Sequence, residues 1–435
     1  MRPDGRFPQT PASSIAPRKG RQDPQPGGGL LPLPARCRSH FNVKLAYTEE
    51  HEALRTELRE YYARLLTPEI LKEVRRSEGV GPMVRKVVRQ MGEDGWLGIG
   101  WPKEYGGRGM TPIEQFIFFD ESMRVGAPVP MLTVNAVAPT IMQYGSEEQK
   151  DFYLPRILKG EIHFGIGYTE PNAGTDLASL QTRAVRDGDQ WVINGQKIYT
   201  SLATDVDYIW LAVRTNEEEK RHKGISIVIV PSDTAGFTVQ PIKNMGNFNT
   251  NCTYYEDVRV PAGNLVGELH GGWSLITNQL NNERVTLCSS GMIEGLVEDV
   301  TDWARNTRRA DGSRVIDQQW VQMTLARIDA RLDFLRLMNF KVAWCAEQNM
   351  PLDPAHASTV KVFGTEFYLE ALRGMQEILG AHATFRAESP EAVLDGRVGQ
   401  MLRSIHILTF GGGVNEMQRD LISMFGLGMP VAPRF

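Results

Sequence analysis

The spacing of apolar residues changes twice along this chain, and these changes limit the possible fold more than any other feature. Leu54, Leu58, Tyr61 and Leu65 recur at i, i+4, i+7 and i+11, which is typical of an amphipathic helix with one buried face. Similar spacing continues to about residue 160, interrupted by the glycine-rich stretch GIGWPKEYGGRGM. The first part of the folded chain is therefore predicted to be helical.

Between about residues 163 and 269 the apolar period becomes two. The stretch TRAVRDGDQWVINGQKIYTS is rich in β-branched and aromatic residues, and Asp187-Gly188 and Asn194-Gly195 in it are typical hairpin turns. Since no long helix separates the predicted strands, the pattern favours an antiparallel sheet and argues against a Rossmann βαβ fold.

From Gly271 onward long helical stripes return, with short connections that favour an antiparallel bundle. The predicted fold class is α+β and multidomain, with an N-terminal all-helical domain, a middle antiparallel β-domain and a C-terminal four-helix bundle. The predicted boundaries are 44–162, 163–269 and 270–435. Residues 1–43 hold eight of the 25 prolines, and we expect them to form a disordered extension or to reflect a mis-set start codon.

Composition narrows the classes of function. The formal net charge is -4, so a nucleic-acid-binding surface is not expected. The longest apolar run, GISIVIVP, is too short to span a bilayer. No CxxC pair is present, which argues against a metal site or a disulfide framework and favours a cytoplasmic location. The cysteines are Cys37, Cys252, Cys288 and Cys345.

Three stretches are candidates for chemistry. GYTEPNAGTDLAS, residues 167–179, predicts a tight turn whose hydroxyls and backbone N–H groups are free to bind an anion or a polar ring edge. The alternative is an ordinary surface hairpin. TFGGGVNEMQRD, residues 409–420, could form a phosphate-binding nest. It lacks the lysine and Ser/Thr of a P-loop, so a turn between two helices is favoured.

Glu283 is the sharpest of these candidates. It lies on an apolar helix face, where burial would raise its pKa towards the range of a general base. Ser290 and Gly291 continue that face with small side chains, which predicts free space beside the carboxylate. The alternative is a buried ion pair. The apolar members of the face are Ile276, Leu280 and Leu287.

Together these motifs resemble the acyl-CoA dehydrogenase family from Leu45 to the end of the chain. GYTEPNAGTDLAS looks like the family's first signature, INGQKIYTS is similar to the strand that follows it, and YYEDVRVPAGNLVGELHGGW is similar to the passage into the C-terminal bundle. The resemblance implies FAD as cofactor, a CoA thioester as substrate and α,β-dehydrogenation as the reaction.

The resemblance also implies roles for individual positions. Ile166, Tyr168 and Thr169 correspond to the strand along the flavin ring, while Tyr199 and Ser201 stand where the family has an aromatic ring on the flavin and a hydroxyl near its N5. The remaining predicted contacts are Thr175 with both FAD and substrate, Gly413 and Asn415 with FAD, and Asn281, Arg284 and Gly412 with the substrate.

The position of the catalytic base departs from the common pattern. Many members carry a Glu where this chain has Gly412, whereas some carry it within Glu-Arg on the first helix of the bundle. LNNERVTL matches that second arrangement. The resemblance therefore implies that Glu283 is the base, which is also the residue that the apolar stripe indicates.

The assembly also departs from that of homotetrameric members. ARNTRRADGSRVID lacks the Phe-Gly that follows an Arg in those members, and EILGAHATFRAES lacks a glycine pair. The chain most resembles the base-carrying subunit of α2β2 acyl-CoA dehydrogenases of steroid-degrading bacteria. This implies a steroid-linked CoA ester, a second acyl-CoA dehydrogenase-like subunit and an electron-transfer flavoprotein as acceptor. Alternatives are a non-catalytic structural subunit, or a flavin oxidase or monooxygenase with this fold.

Overall fold

The computed structural model describes residues 46–77, 79–216, 221–246, 248–286, 288–351 and 353–431, with the side chains of residues 280–286 not described. The predicted disordered segment 1–43 lies outside these residues. Along the described chain, helices come first, then strands, then helices again, as predicted.

The N-terminal helices begin at residues suited to capping. Thr48, Thr67, Thr111 and Ser146 each accept a hydrogen bond from a backbone N–H of the first turn, which satisfies a group that the helix itself leaves unpaired. Leu54, Leu58 and Tyr61 are buried, as the apolar spacing predicts. The helices are α1 (Glu49–Leu65), α2 (Pro68–Arg76), α3 (Pro82–Glu93), α4 (Pro112–Val125), α5 (Ala138–Tyr144) and α6 (Glu147–Leu158).

The strands form one mixed sheet in the order β6-β7-β3-β2-β4-β5-β8, with β1 paired to β4. The strands are β1 (Phe164–Gly167), β2 (Arg183–Asp187), β3 (Gln190–Ser201), β4 (Tyr208–Arg214), β5 (Ile225–Pro231), β6 (Phe237–Ile242), β7 (Thr250–Pro261) and β8 (Leu265–Val266). Most pairs are antiparallel, as expected, but β1 runs parallel to β4, and β2 has one parallel pairing with β4. A parallel pair needs a long crossover, which here contains the β2–β3 hairpin.

Only one of the two predicted turns is a turn. Asp187-Gly188 leads from β2 into β3, whereas Asn194-Gly195 lies inside β3 at a β-bulge opposite β7. The Asn194 side chain bonds Asp257 across the bulge through both its amide N and its oxygen. A Cβ at Gly195 would lie 2.5 Å from Thr182 Oγ1, so the glycine permits close backbone approach within a continuous strand.

The C-terminal helices pack around α10, which contacts α7, α8, α9, α11 and α12. Helices α7 to α10 form the predicted bundle, and the two short helices α11 and α12 follow. Their bounds are α7 (Gly272–Thr286), α8 (Gly291–Asn306), α9 (Gln319–Glu347), α10 (Pro354–Leu379), α11 (Arg397–Ile405) and α12 (Asn415–Leu421). Within the described ranges, every helix is too short or too polar to cross a membrane.

Candidate active site

The stretch after β1 forms the tight turn that its sequence predicts. Glu170 and Ala173 exchange two backbone hydrogen bonds of 3.0 and 3.1 Å, and Thr175 beyond them is exposed. Ile166 and Thr169 are half-buried. The Thr169 carbonyl accepts a 2.8 Å hydrogen bond from the N–H of Ile198 in β3, so the turn and the end of β3 lie side by side.

A buried ion pair fixes this turn to β3. Lys197 Nζ donates to Glu170 Oε1 at 2.8 Å and to the Tyr168 carbonyl at 3.0 Å. The Glu170 carboxylate also accepts from the N–H groups of Gln181 at 2.7 Å and Thr182 at 2.8 Å. Burial lowers the pKa of Lys197 to about 8 in spite of Glu170. Burial opposes ionisation of Glu170, but Lys197 and the donors outweigh it and lower the pKa of that carboxyl.

Directly after Lys197 a bulge turns Tyr199 outward. The register between β3 and β7 shifts between Ile198 and Thr200, and Tyr199 adopts a left-handed φ of 62° with 60% of its surface exposed. Ser201 is half-buried and pairs with Thr250. A non-glycine residue with a positive φ is unfavourable, and here the bulge presents a large aromatic ring beside the turn.

Tyr168 connects this region to the bundle. Its buried hydroxyl donates to Gln279 Oε1 on α7 and accepts from Trp210 Nε1 at 3.0 Å. The side chain of Tyr168 therefore points into the protein, towards α7. The contact of Tyr168 with FAD stays a prediction.

Helix α7 carries Asn281, Glu283 and Arg284, whose side chains are outside the described part of the structure. Glu283 follows Gln279 by four residues, which is about one helical turn. Just beyond α7, the Cys288 carbonyl accepts from Asn339 Nδ2 at 2.7 Å, and the Ser289 carbonyl accepts from the Tyr368 hydroxyl. The helix is thus anchored four residues before Glu283 and again a few residues after it.

Buried Asp120 of α4 caps the start of α8. Its carboxylate accepts from Ser289 Oγ at 2.7 Å, Ser290 Oγ at 2.9 Å and Gly291 N at 2.9 Å. Burial raises the pKa of Asp120, while these donors lower it. The prediction that Ser290 and Gly291 continue the helix face of Glu283 is wrong, because α7 ends at Thr286 and α8 begins at Gly291. A Cβ on Gly291 would lie 1.9 Å from the Asp120 carbonyl oxygen, and free space beside Glu283 stays a prediction. The small residues permit close contact between α8 and α4.

The triple glycine forms a turn before α12, as the sequence favoured over a phosphate-binding nest. Gly412 and Gly413 have φ values of 67° and 93°, which suit glycine. Fully buried Lys361 of α10 holds the turn, because its Nζ donates to the carbonyls of Thr409 at 3.1 Å and Gly413 at 2.8 Å. It also donates to Asn415 Oδ1 at 2.6 Å. The Asn415 side chain therefore bonds within the bundle, and its contact with FAD remains a prediction.

An apolar cavity of about 390 Å³ lies between the N-terminal helices and the bundle. Aromatic and aliphatic side chains dominate its lining, which includes Trp101, Phe116, Phe119, Met142 and Val342. Ser289, at the corner between α7 and α8, also lines it. A cavity of this size and character is suited to an apolar ligand.

Three buried charged residues that shape this region were not among the predicted site residues: Lys197, Lys361 and Asp120. The apolar-stripe pattern that indicates Glu283 also indicates Lys361 and Asp120. Lys361 shares a face of α10 with Tyr368 and Leu372, and Asp120 shares a face of α4 with Ile113 and Ile117. A charged residue on an apolar stripe indicates a buried and paired group. Lys197 shows no comparable signal, because the bulges in β3 disrupt its alternation.

Comparisons with known protein families show which family this chain belongs to. Residues 48–161, 165–258 and 270–427 match the family models for the N-terminal, middle and C-terminal domains of acyl-CoA dehydrogenase. The acyl-CoA dehydrogenase FadE26 of Mycobacterium tuberculosis is 54% identical over 402 residues, which cover 90% of this chain and 100% of the relative. The chain belongs to the acyl-CoA dehydrogenase family. It is an oxidoreductase acting on CH–CH bonds.

Two solved structures of the family are particularly similar. One is the ChsE4-ChsE5 complex from Mycobacterium tuberculosis, with 54% identity and a TM-score of 0.84. The other is the steroid acyl-CoA dehydrogenase Tcur3481-Tcur3483, with 50% identity and a TM-score of 0.85. Each alignment covers 90% of this chain and 100% of the matched chain. The predicted resemblance to steroid enzymes made of two kinds of subunit is therefore confirmed.

Proposed function

We propose that this chain is the base-carrying subunit of an α2β2, FAD-dependent acyl-CoA dehydrogenase that acts on a steroid-linked CoA thioester. The proposal rests on the contacts that α7 and the residues just after it make. Gln279 contacts Tyr168 beside the turn after β1, and Ser289 lines the apolar cavity. Along the chain, Glu283 lies between these two residues. A base in this place can reach a substrate whose reacting carbons lie between the flavin region and the cavity.

The surface at the end of β3 fits a flavin. The exposed ring of Tyr199 offers a flat contact for isoalloxazine. The hydroxyls of Thr169, Thr175 and Ser201 lie on neighbouring segments and can bind its polar atoms. Gly413 of the glycine turn is the further predicted contact. When bound, FAD supplies the acceptor for the hydride that leaves the β-carbon of the substrate.

In this proposal the Glu283 carboxylate removes the α-proton of the thioester. Thr175, Asn281 and Arg284 contact the substrate, and the Gly412 N–H assists in holding the thioester oxygen. Since Gly412 has no side chain, the place where other members carry their base is open to a wider acyl group. Lys361 keeps the glycine turn in position through its bonds to two backbone carbonyls. Position and electrostatics are thus this chain's contribution to catalysis.

The substrate class follows from the cavity and the relatives together. A cavity of about 390 Å³ with an aromatic lining suits a bulky apolar acyl group, and one similar structure is named a steroid acyl-CoA dehydrogenase. The partner is a second acyl-CoA dehydrogenase-like chain, because both similar structures are complexes of two named components. An electron-transfer flavoprotein is the proposed acceptor.

The test is Glu283→Gln in the complex of this chain with the acyl-CoA dehydrogenase-like chain that co-purifies with it. We expect FAD to be retained and flavin bleaching by a steroid-side-chain CoA ester to slow by at least about 100-fold, the lower range for general base catalysis. Glu268→Gln is the matched control, because Glu268 is exposed just before α7, and it should bleach at the wild-type rate.

Near wild-type bleaching by Glu283→Gln with FAD retained would show that the base lies elsewhere, as for a structural subunit that completes its partner's site. Fast reoxidation of the reduced wild-type flavin by oxygen, without an electron-transfer flavoprotein, would instead indicate an oxidase.

A further inference from the structure

Three buried side chains form a hydrogen-bond chain that runs from the sheet to α7. Trp210 Nε1 in β4 donates to the Tyr168 hydroxyl at 3.0 Å, and that hydroxyl donates to Gln279 Oε1 on α7. Trp210 and Gln279 are fully buried, and Tyr168 is 8% exposed. Buried polar groups are normally hydrogen-bonded. Gln279 Nε2 is an exception, because it has no hydrogen-bond partner among the described residues.

The first member of this chain fixes its direction. An indole N–H can only donate, so the Tyr168 oxygen accepts from Trp210 and the Tyr168 proton goes to Gln279. Gln279 must therefore turn its oxygen towards Tyr168, and its Nε2 is directed away from that hydroxyl. The chain begins at a donor and ends at a donor. Because a buried donor without a partner is costly, we expect an acceptor beside Gln279 Nε2 in the working enzyme.

The residue four positions after Gln279 offers a suitable acceptor. Glu283 follows Gln279 on α7, and residues at i and i+4 of a helix lie on the same face. Side chains of helical residues lean towards the preceding turn, which for position 283 is the turn that carries Gln279. A carboxylate accepts from an amide N–H more strongly than a neutral oxygen does. The spacing and the chemistry therefore both favour Glu283 as the acceptor.

We propose that Gln279 is a positioning residue for the base: its Nε2 donates to the Glu283 carboxylate, while its Oε1 stays bonded to Tyr168. This inference rests on the proposed function of Glu283. Donation to the carboxylate stabilises its ionised form, so the base remains ionised at lower pH. The bond to Tyr168 also ties the base to the segment after β1, which the sheet holds from another side through Lys197 Nζ and the Tyr168 carbonyl at 3.0 Å.

The pH dependence of flavin reduction tests this contact in the complex of the chain with its co-purifying subunit. Gln279→Met removes the donor but keeps a long side chain. We expect the pH at which a steroid-side-chain CoA ester bleaches the flavin at half the maximal rate to rise by at least about one unit, because a hydrogen bond to a charged group changes an ionisation equilibrium by at least about tenfold. The substrate concentration for half-maximal bleaching should not change, because the contact is with the base and not with the substrate. The charged groups beside Tyr168 are Lys197 and Glu170, which pair with each other and are present in every variant.

Two further variants separate this role from a general loosening of α7. Tyr168→Phe keeps Gln279 but frees its amide to turn, so the midpoint of the pH profile should rise by less than in Gln279→Met. Asn278→Ala is the matched control, because it removes a different amide contact of the same helix, from Asn278 Nδ2 to Gln143 Oε1 at 3.0 Å. It should leave the midpoint unchanged. If Gln279→Met does not retain FAD, the absence of a shift in Tyr168→Phe would overturn the proposal.

The role of Gln279 and the proposed function can fail separately. Near wild-type bleaching by Glu283→Gln would overturn both. If Glu283→Gln is slow but Gln279→Met shifts the midpoint no more than Asn278→Ala does, the contact is wrong while Glu283 remains the base. The double variant Glu283→Gln with Gln279→Met should bleach no more slowly than Glu283→Gln alone, because no carboxylate is then left to hold. A further loss in the double variant would show that Gln279 acts independently of the base.

Discussion

The buried pair of Glu170 and Lys197 offers a quantitative test of how the flavin region is held. Glu170→Gln keeps the size of the side chain but removes its charge. Oε1 can still accept from Thr182 and Lys197, as it does now. The new Nε2 would replace the oxygen that accepts from the Gln181 N–H at 2.7 Å, so two donors would face each other. Lys197 would also lose its counter-ion while fully buried.

The magnitude follows from these contacts. Removing one partner of a buried pair costs about 3–5 kcal/mol. Lys197 can relieve part of this cost by losing its proton. Since its pKa is about 8 with Glu170 in place and lower without it, deprotonation at pH 7 costs at most about 1.4 kcal/mol. We therefore expect the free energy of unfolding to fall by about 3 kcal/mol, at the lower end of that range. FAD should also dissociate faster, because the pair holds the turn beside Tyr199.

The pH dependence has a definite sign. The lowered pKa of Glu170 keeps its carboxylate ionised at neutral and alkaline pH. In the wild type Lys197 keeps its proton up to about pH 8, whereas in Glu170→Gln it loses the proton at lower pH. The wild-type native state therefore binds more protons over the window below pH 8. By linkage, the stability difference between the wild type and Glu170→Gln declines with rising pH across that window and levels off above about pH 8.

Urea denaturation at pH 7 and pH 9 measures both effects, and flavin fluorescence measures the release of FAD. Lys197→Met combined with Glu170→Gln removes both charges and should be more stable than Glu170→Gln alone. The role of this ion pair would be refuted if Glu170→Gln lowered the free energy of unfolding by less than about 1 kcal/mol at pH 7, or by more at pH 9 than at pH 7.

Three further predictions concern close contacts and the candidate site. Gly291→Ala should lower the free energy of unfolding by about 1–3 kcal/mol, because its Cβ would lie 1.9 Å from the Asp120 carbonyl oxygen. Gly263→Ala is the control in the same denaturation assay and should be neutral, because no atom lies within 4 Å of its Cβ. Tyr199→Ala should weaken FAD binding about 3- to 10-fold in a fluorescence titration through loss of ring contact, while Tyr199→Phe should bind as the wild type does. Gly412→Glu should lower kcat/KM, because it strains a φ of 67° and fills the substrate region, whereas Gly412→Asn, which tolerates this φ, should keep more activity.

Each of these predictions has a clear contrary result. Equal stability of the two alanine variants would mean that α8 can move away from Asp120 at little cost. Unchanged FAD affinity of Tyr199→Ala would show that the Tyr199 ring does not contact the flavin. Higher activity of Gly412→Glu would show that the usual position of the base is functional in this chain.

The two periodicities could be read from the sequence because each depends only on residues close along the chain. The stripe through Leu54, Leu58 and Tyr61 is buried as predicted, and the change from a period of 3.6 to a period of two locates the sheet. The family motifs were equally local, and the family models confirm them. Glu283 was also selected by a local pattern, and its role as the base stays a prediction.

The sequence could not decide which residues far apart in the chain contact each other. Asn194-Gly195 has the composition of a turn, but the pairing of β3 with β7 and the close approach of Thr182 make it a bulge. Ser290 and Gly291 were expected to continue the helix face of Glu283, but they lie beyond the end of α7 and contact Asp120, about 170 residues earlier.

By itself, the sequence therefore determined the order of helices and strands, the family and the residue types available for chemistry. Only the tertiary structure decided that Lys197 pairs with Glu170, that Lys361 holds the glycine turn and that Tyr168 contacts α7. The physical reason is that a buried charge or polar group must find a partner, and the chain's long-range packing, rather than its local pattern, determines which partner is near.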